Sequence, residues 1–460
     1  MRDRRTRTPD GCLHFTEDAP LWHAGRMLHR VATIALLSAL AALPGRTEGE
    51  TQITIVLAGD TGLNGSFQPV YASHGTKHGM QLAWADATTL IAREINGDIN
   101  FANLETVVTD RNDLSPNLKL FGFRTHPSGV KHLMQVGLNM FSTANNHSMD
   151  FGLEGARETL KQLSDIGAAH VGLGTDRNAA RSPRLMILKG RSFAFGAVGI
   201  IGSGYGSPAE DEARVGHLSY SDRDFGEASR TLAATVADYR VLSVHYGSEF
   251  EVNVTSRDHA RLTAALAQGA DLIAGHHHHV VNAVELVAGK PVFYGLGNFL
   301  HWGTQDMSRF DLCRDYGLVA RVHLSAAPGE RLTVRAIEAL PITQAHKTPR
   351  LMGSEQGVAR IHVLNHLANR IGPTGVRFAP QADGTGLYCA AGSERLAGLI
   401  GARCAAKPQI TEPAPELAAK IAAACSKKVA RIVENEAGES EPEFANVGYD
   451  LPQPVIPMPF

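Results

Sequence analysis

Four consecutive histidines, His276 to His279, are the residues of this chain with the clearest potential for chemistry. They follow Gly275 and the apolar run Leu272–Ala274, a pattern typical of a buried strand that ends in a tight loop. Imidazoles on a short loop are held nearly rigid, and a His-x-His spacing lets two of them point the same way to bind Zn, Mn or Fe. A purification tag or a surface cluster would explain the run without a metal. Tags sit at chain termini, however, whereas this run lies between two apolar segments. A metal site is therefore a hypothesis that other residues of the chain must support.

Carboxylate, carboxamide and imidazole groups also follow several other predicted strands. These groups are Asp60 after Ile53–Gly59, Asn103 and Glu105 after Ile99–Ala102, Asn145 to Asp150 after Met140–Ala144, His245 after Val241–Val244 and Asn298 after Val292–Leu296. Taken singly, each is more often a turn or cap residue. Because the carboxyl ends of parallel strands converge on one crevice of an open α/β sheet, we expect the groups to lie together. Such mixed O and N ligands suit a pair of divalent metals about 3.5–4 Å apart, bridged by a carboxylate.

Apolar runs alternate with helical patterns from residue 51 to about residue 340, which predicts an α/β layered domain. The predicted strands are Ile53–Ala58, Ile99–Ala102, Leu138–Thr143, Phe193–Gly199, Val241–Val244, Leu272–Ala274 and Val292–Tyr294. The predicted helices are Met80–Ile95, Leu153–Ile166, Asp224–Ala237 and Ser256–Ala267.

The pattern loosens after residue 345. Lys407–Pro415 carries three prolines and predicts a linker, and the alanine-rich stretch Glu416–Asn435 predicts a helix. We therefore divide the chain into four parts: a leader at 1–45, a main domain at 50–345, a C-terminal extension of unknown fold at 346–437 and a proline-rich tail at 438–460.

In this order, the motifs at the strand ends resemble the CapA-type poly-γ-glutamate capsule-biosynthesis proteins, a branch of the calcineurin-like metallophosphoesterase fold. The matching segments are Ala58–Asp60, Ala102–Thr106, Ala144–Gly152, Val244–Glu249, Gly269–Val280 and Phe293–Phe299. The Asn-Asn-His-x-x-Asp and Leu-Gly-Asn-Phe motifs are specific, and their joint order argues against chance similarity. The resemblance covers about residues 52 to 300. It implies an α/β fold with a layered β-sandwich flanked by helices, the calcineurin-like metallophosphatase architecture.

The resemblance also implies a set of ligands for one or two divalent metal ions (Mn, Zn or Fe): Asp60, Glu105, Asn146, His245, His277 and His279. In that set Glu105 is the carboxylate that bridges two metals. The His-Pro-His of the family falls on residues 277 to 279, where His278 replaces the proline, so His276 remains an alternative ligand. His147 resembles the general acid that protonates a leaving oxygen, and Asp150 could orient it.

One departure from the family pattern concerns the first motif. Metallophosphoesterases usually begin it with Asp-x-His, whereas the position of that histidine is Gly62 here. We therefore expect one metal to lack a protein ligand, which weakens the case for phosphoesterase activity more than the case for the fold.

Residues 1–45 are predicted to contain a secretory signal peptide. Basic residues precede the apolar run Val31–Leu43, and the small residues Ala39 and Ala41 form a cleavage site. Because a polar, arginine-rich stretch precedes Met27, that methionine is a candidate for the true start. The run is shorter than the about 20 residues of a membrane span. We expect export to the periplasm or cell surface, with membrane anchoring through an uncleaved signal as the alternative.

The five cysteines are Cys12, Cys313, Cys389, Cys404 and Cys425. Removal of the leader leaves an even number, which suits disulfides in an oxidising compartment. The spacings match no zinc-binding motif, and we predict a bond between Cys389 and Cys404 because they are close in sequence. Free buried thiols are the alternative, because a chain of this size can fold without disulfides.

Composition limits the classes of partner. The 460-residue chain is 43% hydrophobic and 20% charged, as in ordinary globular proteins, and its formal net charge of -2 gives no electrostatic reason to expect nucleic acid as a partner.

Two functions remain open from the sequence. The first is a metal-dependent hydrolase that cleaves a small phosphoester, or a γ-glutamyl amide in an anionic polymer, in capsule or poly-γ-glutamate metabolism. The second is a non-catalytic accessory protein for synthesis, export or retention of an anionic surface polymer, acting with a membrane-bound polymer synthesis complex. The number of ligand-type residues at strand ends disfavours a purely structural domain.

Overall fold

The computed structural model describes residues 49–202 and 205–428, together with the backbone of two short strands beyond them. The predicted leader lies outside the described residues, as does the proline-rich tail apart from the backbone of Ser440–Glu441. Within the described part of the chain, no helix is both long and apolar enough to cross a bilayer.

The strands, in chain order, are β1 (Thr51–Gly62), β2 (His74–Lys77), β3 (Met80–Ala83), β4 (Ile99–Leu104), β5 (Val107–Val108), β6 (Arg124–Thr125), β7 (Met140–Ser142), β8 (His170–Val171), β9 (Arg184–Leu188), β10 (Arg191–Gly199), β11 (Tyr239–His245), β12 (Leu272–His276), β13 (Val284–Val287), β14 (Lys290–Phe293), β15 (Asn298–His301), β16 (Gly317–Ala326), β17 (Thr333–Thr343), β18 (Arg350–Leu351), β19 (Ala379–Pro380), β20 (Gly386–Cys389), β21 (Val433–Glu434) and β22 (Ser440–Glu441).

The helices are α1 (Trp84–Thr88), α2 (Pro127–Gln135), α3 (Gly152–Asp165), α4 (Arg177–Arg181), α5 (Asp222–Ala234), α6 (Ser256–Gln268), α7 (Ser354–Ile371), α8 (Gly398–Ala405) and α9 (Pro415–Ser426). Short 3₁₀ turns lie at Ala92–Glu94, Met307–Arg309 and Ser393–Arg395.

Two large sheets form the centre of the fold. A ten-stranded sheet has the order β19-β20-β17-β16-β1-β4-β7-β8, with β15 paired to β1 and β18 paired to β17. A six-stranded sheet has the order β13-β14-β12-β11-β10-β9. Each sheet contains a parallel group that carries the polar strand ends. In the first sheet this group is β15, β1, β4, β7 and β8, and in the second it is β10, β11, β12 and β14.

The alternation of side chains along β1 shows how these layers pack. Successive residues of a strand point to opposite faces. Ile55 and Leu57 belong to a core cluster that also contains Phe195 of β10, whereas Val56 belongs to a cluster formed with α1, α2 and α3. The ring of Phe101 on β4 stacks on Phe195 with centroids 6.3 Å apart. The two sheets therefore face each other across one apolar layer, and the predicted β-sandwich flanked by helices is confirmed.

The predicted strands are present, with ends shifted by a few residues, and three of the four predicted helices correspond to α3, α5 and α6. The predicted helix Met80–Ile95 is wrong. Its first residues form β3, which pairs with β2 around a two-residue turn at His78 and Gly79. Both turn residues have positive φ, 43° and 78°, a geometry that closes hairpins. A helix begins only at Trp84, and α1 is five residues long.

The described part of the C-terminal extension joins the first sheet. β18 and β20 pair with β17, β19 pairs with β20, and α7 packs against β17 and α9. Residues 407–414 connect α8 to α9, in agreement with the predicted linker. The helix predicted to reach Asn435 ends earlier, at Ser426, because Lys427 is already in an extended conformation.

Two disulfides hold this C-terminal region. Cys389–Cys404 confirms the predicted pair, with Cα atoms 5.7 Å apart. The second, Cys313–Cys425, was not predicted and ties α9 to the loop before β16, with Cα atoms 5.3 Å apart. The buried Arg314 strengthens the same junction, because its guanidinium donates to the carbonyl oxygens of Ala424 (3.1 Å) and Lys427 (2.6 Å). Carbonyls at the end of a helix need such donors.

We expect removal of Cys313–Cys425 to lower the free energy of unfolding more than removal of Cys389–Cys404. The first bond joins residues 112 apart and the second residues 15 apart. The chain-entropy relation then gives losses of about 4–5 and about 3 kcal/mol. The comparison pairs Cys313→Ala/Cys425→Ala with Cys389→Ala/Cys404→Ala in urea unfolding without reductant. Equal losses, or a larger loss for the short loop, would contradict the expectation.

Candidate metal centre

The polar strand ends of both sheets meet at one crevice. The first sheet contributes Asp60 from β1, Glu105 directly after β4, and the loop Asn145 to Asp150 after β7. The second sheet contributes His245, the last residue of β11, and the run His276 to His279 at the end of β12. The site therefore depends on the packing of one sheet against the other, as expected for strand ends in an α/β fold.

A close approach of two backbones places Asp60. β1 pairs with β16 up to Leu57 and with β15 from Asp60 onward, so the strand changes partner at this point. The amide of Asp60 donates to the carbonyl of Gly297 at 3.0 Å. A Cβ at Gly59 would lie 1.9 Å from that same oxygen, so only glycine allows the contact. The Asp60 carboxylate is consequently buried in the crevice with no solvent exposure.

Two groups of three side chains share Glu105, and each is compact enough to hold an ion. In one group the ligand atoms of Asp60, Glu105 and His279 lie within 4.8 Å of one another, and the same limit holds for Glu105, His245 and His277. Asn146 joins the second group through its Oδ1, which lies 2.7 Å from His245 Nε2. The structure thus brings together all six residues that the sequence suggested as ligands.

The Glu105 carboxylate is the strongest sign that these residues fit a cation. Both of its oxygens are buried, and neither has a hydrogen-bond partner among the described residues. The nearest side-chain nitrogens that can carry a positive charge are His245 Nε2 at 3.3 Å and His301 Nε2 at 3.4 Å. A buried charge without a partner is strongly unfavourable unless an ion compensates it. Carboxylate, carboxamide and imidazole donors together suit Mn, Zn or Fe.

Both carboxylates are held in their ionised form. Burial by itself raises the pKa of Asp60, as does the negative charge of Glu105, but hydrogen bonding from His276 and His279 leaves this pKa well below its usual value. Burial likewise raises the pKa of Glu105, while the charges of His245 and His279 bring it far below the ordinary range. The centre therefore presents two negative charges to whatever it binds.

Two histidines of the run, His277 and His279, differ in charge. Burial lowers the pKa of His277, and the neighbouring His245 lowers it further, so His277 is neutral, the form that binds metals. Burial also lowers the pKa of His279, but the charge of Glu105 and the hydrogen bond to Asp60 raise it to about 10. Without a metal, His279 therefore supplies a cation that offsets part of the carboxylate charge.

His279 is oriented by a carboxamide from β15. Its Nδ1 lies 2.8 Å from Asn298 Oδ1. The amide nitrogen of Asn298 is directed toward Thr304 Oγ1 at 3.4 Å, so the oxygen faces the ring. Nδ1 is then the donor, and Nε2 is the nitrogen left for a metal, an orientation common among histidine ligands.

The backbone of the run is strained at these same two histidines. His277 has φ 90° and His279 has φ 56°, conformations that residues with a Cβ rarely adopt. Such strain costs about 1–3 kcal/mol per residue and persists where the surrounding contacts fix it. Here the His277 amide donates to Asp60 Oδ2 at 3.1 Å. The strain coincides with the ligand-type residues, as functional sites often show.

The other two histidines of the run lie on either side of the centre. His276 Nδ1 is 3.3 Å from Asp60 Oδ1, so it stays an alternative ligand. His278 turns away and packs edge-on against Tyr246, with ring centroids 4.9 Å apart. A Cβ on Gly247 would lie 2.3 Å from its Nε2, so the glycine makes room for the histidine that replaces the family's proline.

His147 and Asp150 form a dyad beside the metal-type groups. His147 Nδ1 is 2.7 Å from Asp150 Oδ2, and its Nε2 faces Glu105 Oε1 at 3.9 Å. The amide of Phe123 donates to Asp150 Oδ2 (2.7 Å), and Lys119 Nζ donates to Asp150 Oδ1 (2.6 Å). The aspartate is therefore fixed by two donors and holds the ring with Nε2 toward the centre.

Residues 54–302 match the family described as bacterial capsule synthesis protein PGA_cap. The chain belongs to this family.

Its relatives carry capsule-related names. A probable polyglutamine synthesis accessory protein of Mycobacterium tuberculosis (strain ATCC 25618 / H37Rv) is 29% identical over 47% of this chain and 58% of the relative. The PGA biosynthesis protein CapA of Bacillus subtilis (strain 168) is 27% identical over 43% of this chain and 52% of the relative. The capsule biosynthesis protein CapA of Bacillus anthracis is 22% identical over 56% and 62%. The match thus spans a little over half the length of these curated relatives.

Among solved structures, similarity is found to the NAD nucleotidase of Haemophilus influenzae, with a TM-score of 0.35, 12% identity and coverage of 67% of this chain and 55% of that one. A putative 5'-nucleotidase of Staphylococcus aureus gives a TM-score of 0.36, 13% identity and coverage of 66% and 54%. At this level of similarity neither structure bears on the activity of this PGA_cap chain.

Three residues of the centre had no assigned role in the sequence prediction, although Asn103 was noted as a polar residue at a strand end. Asn103 links both sheets, because its Nδ2 donates to Asp60 Oδ1 at 2.9 Å and lies 3.2 Å from His245 Nδ1. It stands in the same short motif as Glu105, which was the available signal. His301 follows the Leu-Gly-Asn-Phe motif, whereas Lys119 lies in an irregular loop that carries no pattern.

We expect Glu105→Gln to weaken metal binding at least about 10-fold, because it removes the charge that both groups of ligands share. The measurement is Mn²⁺ titration by calorimetry into chelator-treated protein, with metal content by mass spectrometry. Glu330→Gln, which changes an exposed carboxylate in the turn between β16 and β17, is the matched control. Unchanged Mn²⁺ affinity in Glu105→Gln would show that this carboxylate does not hold the ion.

Proposed function

We propose that this PGA_cap protein is an exported, metal-dependent hydrolase that cleaves a phosphoester or a γ-glutamyl amide in capsule or poly-γ-glutamate metabolism. The observation that carries the proposal is the dyad of His147 and Asp150, which points a ring nitrogen at the shared carboxylate Glu105 from 3.9 Å. A site built only to bind ions would have no need of an oriented imidazole at that distance.

Different residues of the site have different roles in the proposed hydrolysis. A divalent metal held by the two groups would supply Lewis acidity, which lowers the pKa of a water molecule and offsets charge that develops on the substrate. His147, when protonated, gives the Nε2 proton to the leaving oxygen or nitrogen. Its Nδ1 proton stays on the ring in the hydrogen bond to Asp150 (2.7 Å), so the ring ends neutral and correctly turned for the next cycle.

Lys119 supports the same step from the rim of the site. Its ammonium contacts Asp150, the carbonyl of Asn146 at 3.0 Å and His147 Nδ1 at 3.4 Å, and it is 17% exposed. It therefore fixes the dyad and also adds positive charge where an anionic substrate would enter. Phosphoesters and polyglutamate carboxylates are both anionic, so this charge suits either substrate class.

We expect His147→Ala to lower kcat by about 10²–10⁴-fold while Mn²⁺ content stays near that of the wild type, because a general acid acts on the leaving group without holding the ion. His277→Ala should lose both metal and activity. The assays are hydrolysis of a panel of phosphoesters and γ-glutamyl peptides with and without Mn²⁺. His362→Gln, at a buried position on α7, is the control for loss of a histidine elsewhere.

Wild-type protein that carries full metal and turns over neither substrate class would contradict the hydrolase. It would favour the second candidate, a non-catalytic accessory protein for an anionic surface polymer, in which metal and Lys119 bind polymer carboxylates. Two observations support this candidate: Gly62 lacks the side chain of the usual Asp-x-His motif, and the Mycobacterium tuberculosis relative is named an accessory protein.

Export is part of the proposal and rests on the two disulfides of the described residues, which suit an oxidising compartment. We expect cleavage after Ala41, at the small-residue site. Intact-mass analysis of protein recovered from the producing cell decides this. A cytoplasmic product whose N-terminus precedes Val31 would contradict it.

A further inference from the structure

His301 lies in the space that opens beside Gly62. The two residues are paired in neighbouring parallel strands, β1 and β15. A Cβ added to Gly62 would lie 3.4 Å from His301 Cε1 and 3.6 Å from its Nδ1. A Cβ at position 62 would therefore be in van der Waals contact with the His301 ring. An imidazole from another strand thus lies directly beside the position at which the sequence predicted a missing ligand.

The ring is fully buried and directed at the shared carboxylate. His301 has no solvent exposure. Its Nε2 lies 3.4 Å from Glu105 Oε2 and makes no hydrogen bond within the described part of the chain. The ring of Phe123 meets it edge-on, with centroids 5.1 Å apart, and holds its plane. Two ligands of one metal, each about 2.0–2.2 Å from the ion, would stand at a similar separation, so this distance fits both a ligand and a hydrogen-bond donor.

The other ring nitrogen decides between these roles. The backbone amide of Gly303 donates to His301 Nδ1 at 3.1 Å. Nδ1 is therefore an acceptor, and in the neutral ring the proton must sit on Nε2. If Nε2 bound a metal, the neutral ring would carry its proton on Nδ1, where that proton would face the N–H of Gly303. A side-chain amide could turn to present its oxygen instead, but the backbone amide of Gly303 cannot.

We infer that His301 is a positioning residue: it lies beside Gly62 with its Nε2–H turned toward Glu105 Oε2, and it does not bind the metal. This inference rests on the proposed metal site. It leaves Asp60, Glu105 and His279 as the residues of that group that would hold an ion, with an N–H turned toward Glu105. This N–H would help to hold the shared carboxylate in place when a metal is bound.

The test compares two replacements of His301 in the full mature protein. His301→Gln keeps an N–H donor of similar reach, whereas His301→Phe keeps the ring shape and removes the donor. After chelator treatment, Mn²⁺ and Co²⁺ are titrated by calorimetry, and the absorption spectrum of the Co²⁺ form is recorded. Circular dichroism and thermal unfolding of the metal-free variants check the fold, and His362→Gln serves again as the control.

We expect His301→Phe to bind Mn²⁺ about 10–100-fold more weakly than the wild type, as for other residues that orient ligands. His301→Gln should stay within about three-fold, with the visible bands of Co²⁺ unchanged, because no imidazole leaves the ion. An equal loss in both variants, with altered Co²⁺ bands, would show that His301 is a ligand and overturn the inference. So would unchanged affinity in both variants.

These outcomes are distinct from failure of the proposed function. Wild-type protein that binds neither Mn²⁺ nor Co²⁺ overturns the metal site itself and the role of His301 with it. Metal binding with the expected pattern but without turnover leaves the role of His301 intact and rejects the hydrolase.

Discussion

The burial of two like charges is the constraint on which the rest of the site depends. Asp60 and Glu105 are fully buried and ionised, and their oxygens lie within 4.8 Å of each other. Two carboxylates at that distance repel each other strongly in a medium of low dielectric constant, and burial alone would protonate at least one of them. The surrounding groups prevent this: histidines on several sides, the amide of Asn103 and the backbone amide of His277 all direct positive charge or N–H dipoles at the pair. The centre is thus arranged for a cation before any cation arrives.

This arrangement needs both sheets. The carboxylates come from the first sheet, whereas His245 and the histidine run come from the second, and the apolar layer between the sheets sets the distance between them. Local backbone strain at His277 and His279 is tolerated because β12 and the Asp60 carboxylate fix the loop from both sides. The consequence is a site with little freedom to reorganise, which suits groups that must meet an ion at fixed distances. The dyad of His147 and Asp150 is held in the same manner, by donors from the loop that contains Lys119 and Phe123.

Each half of the site also has an outer layer of oriented amides. Asn298 turns His279, Asn103 links Asp60 with His245, and the amide of Gly303 sets the tautomer of His301. The family's Leu-Gly-Asn-Phe motif gains a physical meaning here, because its asparagine directs a ligand and its glycine, Gly297, has a positive φ of 67° and packs closely against Gly317 at the start of β16. The family's sequence motifs are thus explained by the contacts that shape the metal centre.

The sequence by itself determined the strands, because continuous apolar runs such as Ile53–Ala58 and Leu272–Ala274 favour strands that are buried in a sheet. It also determined which polar residues follow those strands. Those local patterns, with the family motifs, were enough to place Asp60, Glu105 and His277 near one another. The helix predicted at Met80–Ile95 failed because the turn at His78 and Gly79 and the pairing of β2 with β3 outweigh helical spacing. Only the tertiary structure decided the roles of Lys119 and His301. Both residues reach the centre from segments that pair or pack with distant parts of the chain. No periodicity in the sequence indicates which side chain will lie beside a glycine such as Gly62.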